Sequence, residues 1–267
     1  MFDHGFLYGD GVFEGIRVYD GFVFKFDEHI KRLYESAKSI NLQVLISDKE
    51  LKRAILETLR KNELKDAYIR LIVTRGLGNL GLNPTSCPKS MIIIITDYLP
   101  PLYEGINVTA IIALTRRNAQ TALNPMIKSL NYLNNILAKL ESNKAQVDEA
   151  IMLNQNGTIS EGTGDNIFIV KNGKVITPPP SAAILVGITR NIAIELSKND
   201  NIEVEEREIT VHELYNSDEA FLTGTAAEIA ALVEVDGKKI GNGEPGSITK
   251  KLIEKFKKLR KSGAPVY

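Results

Sequence analysis

The chain has 267 residues, of which 43% are hydrophobic and 25% charged, a composition typical of a globular protein with a buried core. Its 33 basic and 33 acidic residues cancel, which argues against a nucleic acid or an anionic membrane as partner. The single cysteine, Cys87, excludes an internal disulfide and fits a cytoplasmic location. The three histidines and the cysteine are well separated in the sequence, so no metal site is predicted. No stretch has the length and apolarity of a transmembrane helix, and no signal peptide is recognisable at the N-terminus.

Residues 1–114 are predicted to form a smaller α/β domain. Residues 6–26 have the pattern of strands, with a tight hairpin turn at Asp20-Gly21. Two amphipathic helices follow, the first capped by Asp27 and the second by Ser47 or Asp48. Three further strands are predicted over residues 67–75, 90–96 and 106–114.

Residues 115–125 are polar and irregular and are interpreted as an interdomain linker, and residues 126–267 as a larger α/β domain. A helix is predicted over residues 131–145, with Leu133, Ile136, Leu137 and Leu140 facing inward. A strand over residues 148–153 and a hairpin at Asn172-Gly173 come next. They are followed by a helix from Thr189, a strand over residues 219–222, a hairpin at residues 236–237 and a helix over residues 247–261.

The stretch from residue 160 to residue 190 offers an acid and a helix start. Glu161 lies among small residues, where it is either a solvated loop residue or a carboxylate aimed at a pyridine nitrogen. Gly187, Ile188 and Thr189 come where a loop becomes a helix, whose free amides favour an anion such as phosphate, although ordinary capping explains them as well. Lys128 could be a surface charge or a desolvated amine.

Three other signals are weaker. The glycine spacing of residues 76–81 matches a dinucleotide-binding motif, but no helix pattern follows it, so a flexible loop is predicted. The basic final helix has one apolar stripe, which is typical of a helix docked on a core. His29 and Arg32 could form a phosphate-binding pair, and composition leaves this undecided.

Together these segments resemble the fold-type IV pyridoxal-phosphate enzymes, the class IV aminotransferases. The matching signature comprises Glu161, Asn166, Ile167-Phe168, Thr177, Gly187-Ile188 and Arg190. Further matches are YGDGVFEGIR from Tyr8, AYIR from Ala67, KSLNYLNN from Lys128 and TGTAAEI from Thr223, so the resemblance covers nearly the whole chain. Within the family, FEGIR and YIR look like the branched-chain amino acid aminotransferases.

The resemblance implies a two-domain D-amino acid aminotransferase-like α/β fold with the active site between the domains. It implies that Lys128 bonds the cofactor, pyridoxal 5'-phosphate, covalently and acts as the catalytic base. The implied cofactor-binding residues are Arg32, Lys128, Tyr132, Glu161, Leu185, Gly187, Ile188, Thr189, Gly224 and Thr225. The implied substrate-binding residues are Tyr8, Phe13, Gly15, Tyr68, Arg70, Thr225 and Ala226.

The expected activity is a ping-pong transamination between leucine, isoleucine or valine and 2-oxoglutarate, by a homodimer or a dimer-based oligomer. Within the family, a D-amino acid aminotransferase or an aminodeoxychorismate lyase is the alternative. Outside it, a nicotinamide-linked oxidoreductase or a non-catalytic binding module remains. Family members carry a segment before the YGDG motif, so the first strands of the N-terminal domain are expected to be absent from this chain.

Overall fold

The computed structural model describes residues 1–103 and 107–267. Among these residues the helices are α1 (His4–Tyr8), α2 (Phe26–Ser39), α3 (Asp48–Lys61), α4 (Leu133–Ala145), α5 (Ile188–Asn199), α6 (Val211–Tyr215) and α7 (Ser247–Leu259). The strands are β1 (Gly11–Tyr19), β2 (Phe22–Val23), β3 (Ala67–Thr74), β4 (Met91–Asp97), β5 (Val108–Ile112), β6 (Glu149–Ile151), β7 (Asn166–Lys171), β8 (Lys174–Thr177), β9 (Val204–Glu206), β10 (Glu219–Gly224), β11 (Glu228–Val235), β12 (Lys238–Lys239) and β13 (Ala264–Pro265). None of the helices in these ranges has the length and apolarity needed to cross a membrane.

The chain forms two compact units that are interleaved in sequence. The first unit comprises Met1–Leu99, Ile127–Tyr132 and Arg260–Tyr267, and the second comprises Pro100–Met126 and Leu133–Leu259. Three separate segments therefore build the first unit. The domain boundaries inferred from the sequence remain a prediction.

The first unit is built on a sheet with strand order β13-β2-β1-β3-β4 in the described part of the chain. Its central strands β1 and β3 are antiparallel, with Gly15 opposite Arg70. Helix α2 packs on β1, and its Ile30 and Leu33 join Val12 and Ile16 in the core. The predicted hairpin at residues 20–21 is confirmed, because Tyr19 pairs with Phe22.

Local sequence explains the helices of the first unit, with two corrections. Ser47 caps α3 through a reciprocal capping box with Glu50, as the spacing of the two residues predicts. Helix α2 begins two residues earlier than predicted, and its N-cap is Lys25 in a left-handed conformation rather than Asp27. Residues 6–8, predicted as strand, belong to α1, because the Asp3 carboxylate accepts hydrogen bonds from the first free amides and starts a helix there.

The second unit is built on a sheet with strand order β6-β5-β11-β10-β7-β8-β9, and β12 pairs with β11, within the described ranges. Strands β7, β10 and β11 are antiparallel neighbours, and the predicted turns at residues 172–173 and 236–237 join β7 to β8 and β11 to β12. The strand predicted over residues 106–114 is observed as β5, but Ile106 itself lies outside the described residues.

The prediction for helix α4 was wrong about the buried face. Leu133, Ile136, Leu137 and Leu140 are 67%, 52%, 46% and 56% exposed. The buried face instead carries Asn135, Ala138 and Ser142. These smaller side chains let α4 lie close to β5 and β6, so the larger apolar stripe is left uncovered in this chain.

Candidate active site

Lys128 lies in a short segment that extends the sheet of the first unit. The Phe13 amide donates to the Lys128 carbonyl at 3.0 Å, and the Leu130 amide donates to the Gly11 carbonyl at 2.9 Å. The Lys128 amide in turn donates to the Ser36 hydroxyl of α2 at 3.2 Å. The backbone on both sides of the lysine is therefore fixed to β1 and α2, and the half-buried Lys128 side chain starts from a rigid position.

The lysine group is defined here as Lys128, Tyr132, Phe13 and Arg70. The Lys128 ammonium donates to the Tyr132 hydroxyl at 3.2 Å and lies 4.5 Å from the centre of the Phe13 ring. The Arg70 guanidinium lies 4.3 Å from the centre of the same ring, and Tyr132 meets that ring edge-on at 5.0 Å. The Phe13 ring thus lies beside two cations, which is a favourable cation–π arrangement. It also places an apolar surface next to positive charge.

Gly15 of β1 and Tyr68 of β3 are two further residues predicted to bind substrate. A Cβ atom at Gly15 would lie 2.0 Å from the Tyr68 hydroxyl oxygen, so only glycine lets the Tyr68 ring cross β1 here. Tyr8, also predicted to bind substrate, lies in α1, is 37% exposed and packs edge-on against His4. Its role in substrate binding remains a prediction.

Arg32, predicted to hold phosphate, forms a two-bonded ion pair with Glu14 of β1. Its Nε and Nη2 atoms donate to the two Glu14 oxygens at 2.7 and 2.8 Å. His29 Nδ1 lies 2.8 Å from one of the same oxygens. His29 and Arg32 do come together, as the sequence allowed, but around a buried acid that the sequence analysis did not single out.

The acid group is defined here as Glu161, Arg117, Asn166 and Leu185. Arg117 Nε donates to one Glu161 oxygen at 2.8 Å, with both side chains 6% exposed. The Leu185 amide and the Asn166 side-chain amide donate to the other oxygen at 2.9 and 3.1 Å. Glu161 is thus a buried carboxylate held by a cation and two amides, which excludes the solvated-loop interpretation.

Helix α5 begins directly after Gly187, whose position is fixed by its neighbours. A Cβ atom at Gly187 would lie 2.1 Å from the Asn166 side-chain oxygen, so a larger residue would displace Asn166. No side chain among the described residues caps this helix start, and Thr189 in its first turn is 4% exposed. Backbone amides at such a start, together with the helix dipole, favour an anion.

The end of β10 leads into the half-buried residues Gly224, Thr225 and Ala226. The Ala226 carbonyl accepts a hydrogen bond from the Leu102 amide at 2.8 Å. The Thr223 hydroxyl, in a residue only 1% exposed, has no hydrogen-bond partner among the described residues. A buried hydroxyl without a partner is costly, which points to a polar group bound beside this turn.

Two buried acids lie behind the same turn. A Cβ atom at Gly224 would lie 2.3 Å from Asp165 Oδ1, and Glu149 accepts hydrogen bonds from Thr163 Oγ1 at 2.6 Å and from Tyr103 Oη at 3.1 Å. Burial raises the pKa of Asp165 well above its usual range, and the Glu149 charge raises it further. Compared with a solvent-exposed aspartate, Asp165 therefore favours its protonated form, because burial and the Glu149 charge both raise its pKa.

Arg117, Glu14 and the Glu149–Asp165 pair were not found from the sequence. Arg117 lies in the segment interpreted as a linker, and Glu161 is far from it in sequence, so no periodicity connects them. Glu14 did leave a signal, because it is a charged residue on an otherwise apolar face of β1, between Val12 and Ile16.

Comparison with known proteins gives a consistent result. Residues 11–235 match the family model described as amino-transferase class IV. The putative branched-chain-amino-acid aminotransferase of Methanocaldococcus jannaschii is 55% identical over 268 residues, which cover 100% of this chain and 93% of that protein. The crystal structure of the Escherichia coli branched-chain amino acid aminotransferase has a TM-score of 0.94 at 37% identity, covering 97% of this chain and 88% of that chain. The enzyme of the same name from Thermobaculum terrenum, solved in its PLP form, has a TM-score of 0.90 at 32% identity, covering 97% and 88%.

Proposed function

Because this chain belongs to the class IV aminotransferase family, we propose that it is a pyridoxal-phosphate transaminase that moves the amino group between branched-chain L-amino acids and 2-oxoglutarate. The observation that carries the proposal is the lysine group, in which an amine, a phenol, an apolar ring and a guanidinium meet. The relatives compared above are named for branched-chain substrates, which disfavours the D-amino acid aminotransferase and lyase alternatives. In the described segment between the glycine loop of residues 76–81 and β4, the only helical element is a 3₁₀ turn at Pro84–Ser86, which disfavours a nicotinamide enzyme.

The residues present fit pyridoxal 5'-phosphate. Lys128 supplies the amine that bonds the aldehyde, and Tyr132 beside it supplies a partner for the ring hydroxyl. The buried Glu161 carboxylate suits a protonated ring nitrogen, and the side chain of Leu185 suits the ring face. The uncapped start of α5 and the partnerless Thr223 hydroxyl suit the phosphate and its surroundings. The phosphate is assigned to Arg32, Gly187, Ile188, Thr189, Gly224 and Thr225.

When bound, the cofactor supplies a ring that absorbs the electron pair left at the substrate α-carbon. The Lys128 amine would take the α-proton from the substrate as general base and deliver it to the former aldehyde carbon of the cofactor, and it would move a proton in the opposite direction in the half-reaction with 2-oxoglutarate. Tyr132, 3.2 Å from that amine, holds it in place through a hydrogen bond. Arg117 holds the Glu161 carboxylate in place through a 2.8 Å ion pair, and this carboxylate would stabilise a protonated ring nitrogen.

Two kinds of substrate must use the same residues in turn. The Phe13 ring, with Gly15 next to it on the same face of β1, offers an apolar surface to leucine, isoleucine or valine. Arg70, 4.3 Å from that ring, offers a charge to the distal carboxylate of glutamate or 2-oxoglutarate. The substrate α-carboxylate is assigned to Tyr68 and to the amides of Thr225 and Ala226.

The cofactor-loaded protein is mixed in turn with L-leucine, L-glutamate and D-alanine, and the visible absorption band of the cofactor is followed. We expect both L-amino acids to convert the band and D-alanine to leave it unchanged. The Lys128→Ala variant should lose turnover by at least about 10²-fold, as expected for a removed general base. Lys171→Ala, at a surface lysine 43% exposed, is the matched control and should behave as wild type. Turnover of leucine by Lys128→Ala at a rate close to that of the wild type would end the proposal.

Arg70→Met tests the dual specificity separately. The loss of a charge-assisted hydrogen bond of about 1.5–3 kcal/mol should lower kcat/KM for 2-oxoglutarate by roughly 10- to 150-fold. The half-reaction with leucine, which presents no distal carboxylate, should change far less. An equal loss for both substrates would contradict the role assigned to Arg70.

We also propose a homodimer or dimer-based oligomer in the cytoplasm. The exposed face of α4, formed by Leu133, Ile136, Leu137 and Leu140, is the kind of apolar patch that marks a protein interface. A twofold contact between copies would cover this face on both chains. Light scattering should show a multiple of the chain mass, and Leu137→Glu should lower it. A monomeric wild type would refute the assignment. The free Cys87 fits a reducing compartment.

A further inference from the structure

The inward face of β1 carries one charged residue that the proposed reaction does not use. Val12, Glu14 and Ile16 alternate along that face and all three are 0% exposed. Val12 and Ile16 belong to the core of the first unit with residues of α2, whereas Glu14 brings a carboxylate into it. A charge at such a position is expensive unless it is paired and fully hydrogen-bonded.

Glu14 meets that condition through two residues one helical turn apart on α2. Arg32 binds it as a fork, with Nε at 2.7 Å from Oε1 and Nη2 at 2.8 Å from Oε2. His29 Nδ1 lies 2.8 Å from Oε2. The spacing i, i+3 puts both side chains on the same face of α2, directly opposite β1. The fork fixes both the position and the plane of the guanidinium.

The charge states of the three groups follow from their surroundings. Burial alone would raise the pKa of Glu14, but the charge and hydrogen bonds of Arg32, with His29, outweigh it and lower that pKa to about 2. Burial lowers the pKa of His29, with further lowering by the Arg32 and Lys128 charges, although Glu14 opposes them. At neutral pH, Glu14 is therefore an anion, and the neutral His29 ring donates its Nδ1 hydrogen to it.

The cluster also lies beside the lysine group. The Lys128 charge acts on His29, and Tyr132 acts on Arg32. Replacing a buried ion pair by apolar residues of similar size is often neutral or stabilising, so stability is a weak reason for this fold to keep one. Departures from an apolar core pattern are expected where function requires them. Arg32 is the residue whose position Glu14 and His29 fix.

We propose that Glu14 is a positioning residue, which, with His29 as its second hydrogen-bond donor, holds the Arg32 guanidinium in the orientation that receives the cofactor phosphate. The inference rests on the proposed function, because the phosphate is that of pyridoxal 5'-phosphate. Glu14 itself touches neither substrate nor cofactor. Its effect should therefore depend on whether the ligand carries a phosphate.

The test compares two ligands on the cofactor-free protein. Binding of pyridoxal 5'-phosphate and of pyridoxal, which lacks the phosphate, is titrated for the wild type and for Glu14→Gln. We expect Glu14→Gln to weaken pyridoxal 5'-phosphate binding at least about tenfold, the scale of one charge-assisted hydrogen bond, and pyridoxal binding less than about threefold. Equal weakening of both ligands would show a merely structural role, and unchanged or tighter phosphate-ligand binding would also overturn the inference.

Asp10→Asn is the matched control, since Asp10 is bound by Arg75 through the same Nε and Nη2 fork, at 2.8 Å for both bonds. It should leave the ratio of the two affinities unchanged. Should Glu14→Gln not fold, Glu14→Asp keeps the charge but shortens the side chain, and the same preferential loss of the phosphate ligand is expected. A wild type that binds neither ligand at Lys128 would refute the proposed function instead, so the two failures are distinct.

Discussion

Replacing Arg117 should show how much free energy of unfolding is lost when the buried Glu161 carboxylate has no cation beside it. The two side chains are each 6% exposed and bonded at 2.8 Å. Breaking such a pair by removing one partner costs about 3–5 kcal/mol, because the remaining charge stays buried and uncompensated. For a unit of this size, roughly 2–4 °C of melting temperature corresponds to 1 kcal/mol, so Arg117→Met should melt roughly 6–20 °C below wild type.

The assay is scanning calorimetry of the cofactor-free protein, because bound ligand would add its own stabilisation. Glu161→Gln and the double variant complete a double-mutant cycle. We expect the double variant to recover part of the loss, with a coupling free energy of about 2–3 kcal/mol. Lys171→Met, which breaks the exposed Lys171–Asp218 pair at 43% and 49% exposure, should cost no more than about 1 kcal/mol. Additive effects of the two single variants would refute this reasoning.

Three further outcomes are expected. Asp165→Asn should raise the melting temperature at pH 7. The pKa of Asp165 is raised in the folded protein, so the free energy of unfolding falls as pH rises above the pKa of the unfolded chain, and an uncharged amide removes that penalty. A pH dependence of stability equal to that of the wild type would contradict this. Gly224→Ala should cost about 1–3 kcal/mol, measured by thermal melting, since its Cβ atom would lie 2.3 Å from Asp165 Oδ1. The lowered pKa of Glu14, about 2, means a contribution of about 3 kcal/mol that is fully present above the unfolded value of 4.5 and lost as pH falls to 2; acid titration of Glu14→Gln should lack this slope.

Helices and hairpins could be predicted from the sequence, because caps and turns depend on residues that are close together in the chain. The capping box of Ser47 and Glu50 and the turn at residues 20–21 were readable for that reason. Helix α4 shows what local sequence does not predict, namely which face of a helix is buried. Periodicity reports that an apolar stripe exists, but not whether the chain's own core or another surface covers it.

The candidate site also combines residues that could be predicted from the sequence with residues that could not. Family motifs indicated Lys128 and Glu161, and the structure gives each a buried or half-buried environment with defined partners. The partners Arg117 and Glu14 could not be predicted, since Arg117 lies 44 residues from Glu161 in sequence and Glu14 lies 18 from Arg32. Ion pairs at such separations are set by tertiary packing, which a single sequence does not display.

The interleaving of the two units limits how this protein could be cut or recombined. The segment Ile127–Tyr132 carries Lys128, the proposed reactive amine, and its backbone is hydrogen-bonded to β1, which lies more than a hundred residues earlier in the chain. A fragment that ends before this segment keeps β1 but lacks Lys128, and a fragment that begins there has Lys128 without the strand that holds its backbone. Replacing one unit by recombination between genes would therefore separate Lys128 from the strand that supports it. We expect the two units to evolve together for this reason.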